Sequence, residues 1–266
     1  MPVQRRNSEM VNLLAADFQL RYEPQFAWKS SVSQFLALTG LRGFWPTSSV
    51  SGGGSLMDLS GQNRILTYNG NPLYRVDNLA PNVALDGAGD YFSRADEVGL
   101  DITGTETYVH DDFKGLTQIG WYYFDNAAGV AEYMMSKWDE GGNQRSYRLF
   151  RQAAGAIRFS VSTDGTAVVD ISTVGTPAAA EWFFAVGRYS TTAAEMDVWY
   201  NDEVVNLAAG VPASIHVGTA DFNIGARHNG NNLMTGRLCY QFLCAAALPD
   251  AVINQLFHQS RAQFGV

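Results

Sequence analysis

Three features of this 266-residue chain predict an all-β domain, a sandwich or barrel, closed by one C-terminal helix. From about Gly43 onward the sequence breaks into short apolar runs punctuated by Gly, Asn and Asp: GFWP, VALDGAGDYF, IGWYYF, SYRLF, AIRFSV, WFFAVGRY, MDVWYND, FNIGAR and GRLCYQFLC. Several of these runs alternate at period two, with Ile157, Phe159 and Val161 set against Arg158, Ser160 and Ser162, and Met196, Val198 and Tyr200 against Asp197 and Trp199. Alternation marks a strand with one buried face, and many short strands joined by turn residues mark a sandwich or barrel. After Pro249 the period changes: DAVINQLFHQSRAQF places Val252, Ile253, Leu256 and Phe257 on one helical face, which predicts a helix of about three turns capping the sheets.

Taken in order, residues 1–40 stand apart from this pattern. Ser8 followed by Glu9, Met10, Val11, Leu13 and Leu14 reads as a short capped helix, and Pro24 precedes a second apolar stretch with Phe26, Trp28, Val32, Phe35, Leu36 and Leu38. The chain is therefore divided into an arm, 1–40, and a sandwich domain, 41–266. Thr47–Arg64, with three consecutive glycines and many serines, reads as a mobile surface loop. The strand runs that follow predict burial of Ile157, Phe159, Val161, Phe184, Val186, Val198, Phe222, Ile224 and Phe242.

Composition narrows the function classes. Apolar residues make up 46% and aromatics 12%, enough to fill a sandwich core, while no window approaches the roughly 18 uninterrupted apolar residues of a spanning helix. A net charge of −8 and the lack of a basic face interleaved with aromatics argue against nucleic acid. Cys239 and Cys244 are five residues apart in one predicted strand, so they point to opposite faces unless a bulge intervenes, and both read as reduced, buried thiols. The opening MPVQRRNSEMVNLLAADFQL has no apolar run of signal-peptide type, so synthesis and assembly in a cytoplasm are expected.

GFWP at 43–46, LMDLSGQNR at 56–64, VALDGAGDYF at 83–92, SKWDEGGNQRSYRL from Ser136, the WFFAVGRY and DVWYNDEVV pair within 182–205, FNIGAR at 222–227 and MTGRLCYQFLCAAALPDAVINQL at 234–256 occur in the order in which concanavalin A-like, laminin G-type jelly rolls carry similar motifs. Over about 210 residues the chain resembles that family. The resemblance implies two antiparallel sheets packed about 10 Å apart, one of them concave, and leaves the arm outside.

The fold hosts lectins, glucanases and adhesive modules, so function rests on sites. Retaining glucanases of the family resemble E-x-D followed by a third carboxylate, with the nucleophile and acid/base about 5–5.5 Å apart. Here Glu195-Met-Asp197 is followed by Tyr200 and Asn201, with Asp202 and Glu203 in a predicted turn, so the acid/base is missing and a solvent-facing strand is the plainer reading. His110-Asp111-Asp112 reads as a solvated loop, since adjacent residues diverge in an extended chain. Asp58, Asn63, Asp86, Asp90 and Asp139 offer oxygen ligands of the kind Ca²⁺ takes, without a fixed ligand spacing. No phosphate loop, nucleophile elbow or other cofactor motif accompanies them.

Two polar loops carry what sugar recognition requires, a planar face for a pyranose ring and amides or carboxylates for its hydroxyls: Trp138, Asp139, Glu140, Asn143, Gln144 and Arg145 in one, Arg227, His228, Asn229, Asn231 and Asn232 in the other. Asn and Gly also build ordinary turns. Laminin G-like sandwiches usually work outside cells, and this chain combines that fold with no signal peptide, no disulfide and an apolar arm. A non-enzymatic bacteriophage virion protein is therefore expected, a capsid decoration or tail adhesive module on the virion surface. Phe18, Tyr22, Phe26, Trp28 and Phe35 of the arm would bury against other virion proteins or copies of the chain. A carbohydrate-binding lectin is the alternative, and a glycoside hydrolase the third reading.

Overall fold

The computed structural model describes residues 40–47, 54–77, 80–107 and 109–266. The helix predicted near Ser8 and the aromatic arm to residue 39 lie outside the described residues.

Among the described residues fifteen strands, paired antiparallel, form two sheets. One is built from β1 (Leu41–Trp45), β3 (Leu73–Asp77), β4 (Ala80–Asp86), β6 (Gly115–Phe124), β11 (Trp182–Ser190), β12 (Glu195–Tyr200), β13 (Glu203–Leu207) and β15 (Thr235–Cys244). The other holds β2 (Thr67–Asn69), β5 (Tyr91–Arg94), β7 (Glu132–Asp139), β8 (Gln144–Arg151), β9 (Ile157–Ser162), β10 (Val168–Ser172) and β14 (Phe222–Ile224). The eight-stranded sheet runs β13-β12-β11-β6-β15-β4-β3, with β1 pairing β15 beyond the end of β4; the seven-stranded sheet runs β10-β9-β8-β7-β14-β5-β2. The sandwich expected from the sequence is the fold.

The main core lies between the sheets. Phe159, Val161, Ile157, Met135, Leu149, Phe222 and Ile224 face Tyr122, Phe124, Phe183, Ala185, Met196, Val198 and Leu238. The alternation read in β9 and β12 is what puts these side chains inward. A second apolar layer lies outside the eight-stranded sheet, where α1 (Asp250–Phe264) buries Ile253, Leu256, Phe257 and Phe264 against Trp121, Phe184, Val186, Trp199, Phe242 and Leu248. Phe184, Val186 and Phe242 are buried as expected, but beneath this helix rather than between the sheets. Because β6 and β11 are covered on both faces, GLTQIGWYYF and WFFAVGRYS read as nearly continuous apolar runs.

The helix lies along β6 and β11. Near its start Asp250 pairs with Arg188 at 2.5 Å; further on, Ser260 accepts the Trp121 indole N–H at 2.9 Å, and Phe264 stacks on Trp121 with centroids 4.1 Å apart. Gly265 ends it in the left-handed conformation (φ 74°), its N–H bonded to the Arg261 carbonyl.

Three sequence expectations change. Cys239 and Cys244 share the helix-side layer instead of opposite faces, because a bulge between Cys239 and Phe242, with Tyr240 at φ 51°, inserts one residue into β15. Both are free and buried, and their partners Trp121 and Thr117 on β6 put them about 13 Å apart, far beyond disulfide reach. In the Thr47–Arg64 segment, residues 48–53 lie outside the described residues, but the rest is tied down. Leu56 is fully buried and bridges Leu66, and the Asp58 carboxylate accepts the backbone N–H groups of Phe44, Ser60 and Arg64 at 3.1, 2.8 and 2.8 Å. Asp197, read as solvent-facing, is 2% exposed.

Candidate functional site

The helix covers the outer face of the eight-stranded sheet, which leaves the outer face of the other sheet to carry the two polar loops. Tyr133, Trp138 and Phe150 project outward there from β7 and β8, where bulges after Tyr133 and Lys137 shift the register. Arg148 closes over all three: its guanidinium carbon is 4.1 Å from the Trp138 ring, 4.3 Å from Phe150 and 5.6 Å from Tyr133. The same guanidinium donates to Tyr133 Oη and to Ser160 Oγ (3.1 Å) and approaches Glu140 (3.4 Å). Burial pulls the Arg148 pKa down, opposed by Tyr133, Asp170 and Glu140; burial likewise pushes the Tyr133 hydroxyl up.

The structure brings the two loops together above this patch. Arg227 Nη1 pairs with Glu140 Oε2 at 2.5 Å, and its guanidinium lies 5.9 Å from the Tyr133 centroid. His228 accepts the Asp221 amide N–H at Nδ1 (3.3 Å) and places Nε2 3.9 Å from the Asp139 carboxylate. Partial burial raises the Glu140 pKa, but Arg227 and then Arg148 outweigh it and hold the group below the usual carboxylate range.

Each loop is fixed by its own backbone bonds. Asp139 accepts the Gly141 N–H at 2.9 Å, and exposed Asn143 takes φ 56°, the left-handed turn conformation Asn tolerates. Gln144 spans outward, accepting the Thr219 N–H at 2.8 Å and donating to the Gly142 carbonyl at 3.1 Å, and Arg145 donates to the Thr166 carbonyl at 2.9 Å. In the second loop Arg227 and Asn231 form a bridge (N–H to carbonyl 2.7 Å), Asn231 Nδ2 donates to the His228 carbonyl, and exposed Asn229 sits at φ 58°. Trp138 is fully buried, so its ring is the floor of the patch and offers no open stacking face; the outermost planar group is the Arg227 guanidinium, whose side chain is 20% exposed. Glu140, within the first predicted loop, and Arg148 tie the floor to the loops, and Arg148 is absent from the sequence-level candidates. The spacing of Arg148 between Tyr147 and Phe150 on an outward strand position is the only signal that pointed to it.

Of the glucanase-like pair Glu195 and Asp197, the aspartate is engaged in the fold. Asp197 accepts from Arg188 Nε at 2.7 Å and from Asn206 Nδ2 at 2.8 Å on the helix-covered side of the sheet, so it is structural and closed to a substrate. Among the described residues no three His, Cys, Asp or Glu groups gather to hold a metal. Asp86 accepts the Ala88 N–H at 2.7 Å and Asp90 the Asn71 N–H at 2.6 Å, Asn63 takes a turn conformation at φ 58°, and His110 caps a short 3-10 turn (Asp111–Phe113). The carboxylates offered to Ca²⁺ thus bind backbone.

This fold, with one sheet face roofed by a helix and the other bearing converging loops, is that of a lectin-type sandwich. The family model Laminin_G_3, described as the concanavalin A-like lectin/glucanases superfamily, matches residues 96–243, more than half of the chain, and the chain belongs to that superfamily. No curated protein matches the sequence. Among solved structures, the binding domain of Paraclostridial Mosquitocidal Protein 1 superposes with a TM-score of 0.64 at 12% identity, covering 82% of this chain and 52% of that one. The receptor binding domain of botulinum neurotoxin C/D mosaic serotype gives 0.62 at 11% identity, covering 82% and 51%. The binding domain of Botulinum Neurotoxin DC in complex with SialylT gives 0.59 at 13% identity, covering 83% and 51%. This chain spans about half the length of each, and at such identities the likeness is one of fold. Among the described residues no helix is long and apolar enough to cross a membrane.

Proposed function

We propose that the protein is a non-enzymatic recognition module that binds glycans on the outer face of its seven-stranded sheet. The observation that carries this is the ion pair between Glu140 and Arg227, which joins two loops distant in sequence into one polar surface. Preorganised loops do not have to be ordered on binding, which saves a cost that otherwise consumes affinity. Asn143, Asn229 and Asn231 stand exposed there and Gln144 half-buried, offering amides to hydroxyls, with the Arg227 guanidinium as the planar group beside them. The solved binding domains that share the fold support this reading by analogy only.

A glycan array on the full chain tests it. Binding to at least one glycan class is expected, weakened about tenfold by Asn231→Ala or Gln144→Ala, the loss of one hydrogen bond of about 1–1.5 kcal/mol. Uniformly negative arrays, or binding indifferent to both substitutions, would refute it; sugar release abolished by Glu195→Gln would restore the hydrolase. A finer placement, display on a virion with residues 1–40 as anchor to other virion proteins or to copies of the chain, is supported by the apolar arm of the sequence. Neither the family nor the similar structures point to a bacteriophage, and the genes flanking this one are the test.

A further inference from the structure

The helix does not roof the whole of its sheet. Near its N-terminal end it meets the sheet at Arg188, and its fifteen residues span about 22 Å, equivalent to about seven residues of strand, so it runs out at the level of Trp182. Beyond Phe264 and Gly265 a cleft of about 810 Å³ opens.

Strand register builds its floor. Arg237 pairs with Tyr123 and Tyr123 with Trp182, so these three side chains stand side by side across β15, β6 and β11 on the outer face. The Arg237 guanidinium lies 4.3 Å from the Tyr123 centroid, and the Tyr123 and Trp182 rings are 5.5 Å apart, tilted by 59°. The walls are Val76 from edge strand β3 on one side and exposed Glu181 with the β12–β13 turn, Tyr200 and Asn201, on the other.

We infer that this cleft is a second ligand site, for a neutral oligosaccharide of two to three units. The volume falls within the range of small-molecule sites, which combine an apolar or aromatic base with a few convergent polar groups. The charge selects the class. The Arg237 guanidinium is 3.6 Å from the Asp125 carboxylate, and Glu181 faces the same space, so an anionic sugar or a phosphate meets repulsion that no second cation among the described lining residues offsets. A polyhydroxylated neutral ring instead uses the guanidinium and the Asn201 Nδ2 as donors and the Glu181 carboxylate as acceptor, and sets its C–H face beside the half-buried Tyr123, with Trp182 packed beneath as floor. No residue of the cleft belongs to the loop surface on the opposite sheet, so the two sites stand or fall separately.

Saturation-transfer NMR on the full chain, with maltotriose, cellotriose, lactose and 3′-sialyllactose as probes at millimolar concentration, tests this inference. Transfer to at least one neutral probe is expected, reduced about tenfold by Glu181→Ala and by Val76→Trp, which plugs the mouth, and unchanged by Val98→Ala at an exposed position outside both cleft and loops. Both altered residues are exposed, so each variant keeps the fold. The inference is overturned if no neutral probe shows transfer, if both cleft variants bind undiminished, or if sialyllactose binds better than lactose.

Discussion

Replacing Asp197 by Ala separates a structural carboxylate from a catalytic one. The Asp197 side chain is 3% exposed and that of Arg188 13%, and Arg188 also donates to the Leu248 carbonyl at 2.7 Å and to Asp250 at 2.5 Å. Breaking a buried pair by removing one partner costs about 3–5 kcal/mol, because the remaining charge is stranded. Arg188 keeps two partners at the start of α1, so the lower end applies, about 3 kcal/mol, which for a domain of this size lowers the melting temperature by about 6–12 °C. Asp250 is 61% exposed, and its replacement by Ala should cost less than about 1 kcal/mol. Arg188→Met/Asp197→Leu removes both charges and should cost less than the two single changes added together. Urea unfolding of the five variants (Asp197→Ala, Asp250→Ala, Arg188→Met, Asp197→Leu and the double) reads all of these values, with unchanged m-values as the check on cooperativity. An Asp197→Ala cost within about 0.5 kcal/mol of zero, or strict additivity in the double variant, would refute the assignment of a buried structural pair.

The native protein should leave Ellman reagent unreacted and report two thiols per chain when denatured without reductant, since burial pushes both cysteine pKa values far up; zero thiols in the denatured protein refutes the free state. Gly187→Ala should destabilise by about 1–3 kcal/mol, because an added Cβ would meet the Phe159 ring at 2.3 Å in the packed interior; a stability curve superposing on the parent's would contradict that packing. Glu140 has a folded pKa below its ordinary value, so its contribution is present above about pH 4.3 and lost as the pH falls through the folded value; amide protection in 139–144 and 227–232 should drop in acid before that of β6, and simultaneous loss would count against the tether. Deleting residues 1–39 should preserve one cooperative melt, because the described residues of both apolar layers, from position 41 onward, already pack against one another, and light scattering on the same protein tests the arm as an anchor.

The fold was legible where one face of a strand is wet. In β9 the alternation of Ile157, Phe159 and Val161 with Arg158, Ser160 and Ser162 set the inward face, and the structure keeps it. It was illegible where a second layer covers the sheet: in WFFAVGRYS nothing in the composition says that Phe183 faces the other sheet while Phe184 faces α1, since both environments are apolar. The same second layer hid the role of Asp197, because a polar residue alternating with Met196 and Val198 reads as solvent-facing until a helix is laid over it. The face of Cys244 turned on a single left-handed residue, Tyr240, a conformation that non-glycine residues rarely signal in sequence.

Sites were legible as composition and illegible as geometry, for a reason that register makes plain. The polar character of 138–145 and 227–232 marks them as loops able to hydrogen-bond a ligand, yet their joining depends on β14 lying beside β7, where Ile224 pairs with Met135 and Phe222 with Lys137. That pairing carries the chain leaving Ile224 toward Tyr133, and the loop folds back along β14, His228 Nδ1 accepting the Asp221 N–H, so that Arg227 reaches Glu140. The cleft depends on register still more completely. Arg237, Tyr123 and Trp182 lie in three separate segments, and a one-residue slip of β15 against β6 would turn Arg237 into the core and Leu238 outward. Because the bulge at Tyr240 lets Arg237, Cys239, Phe242 and Cys244 share the outer face, the local defect that misled the reading of the cysteines also lets one strand serve both the helix contact and the cleft floor.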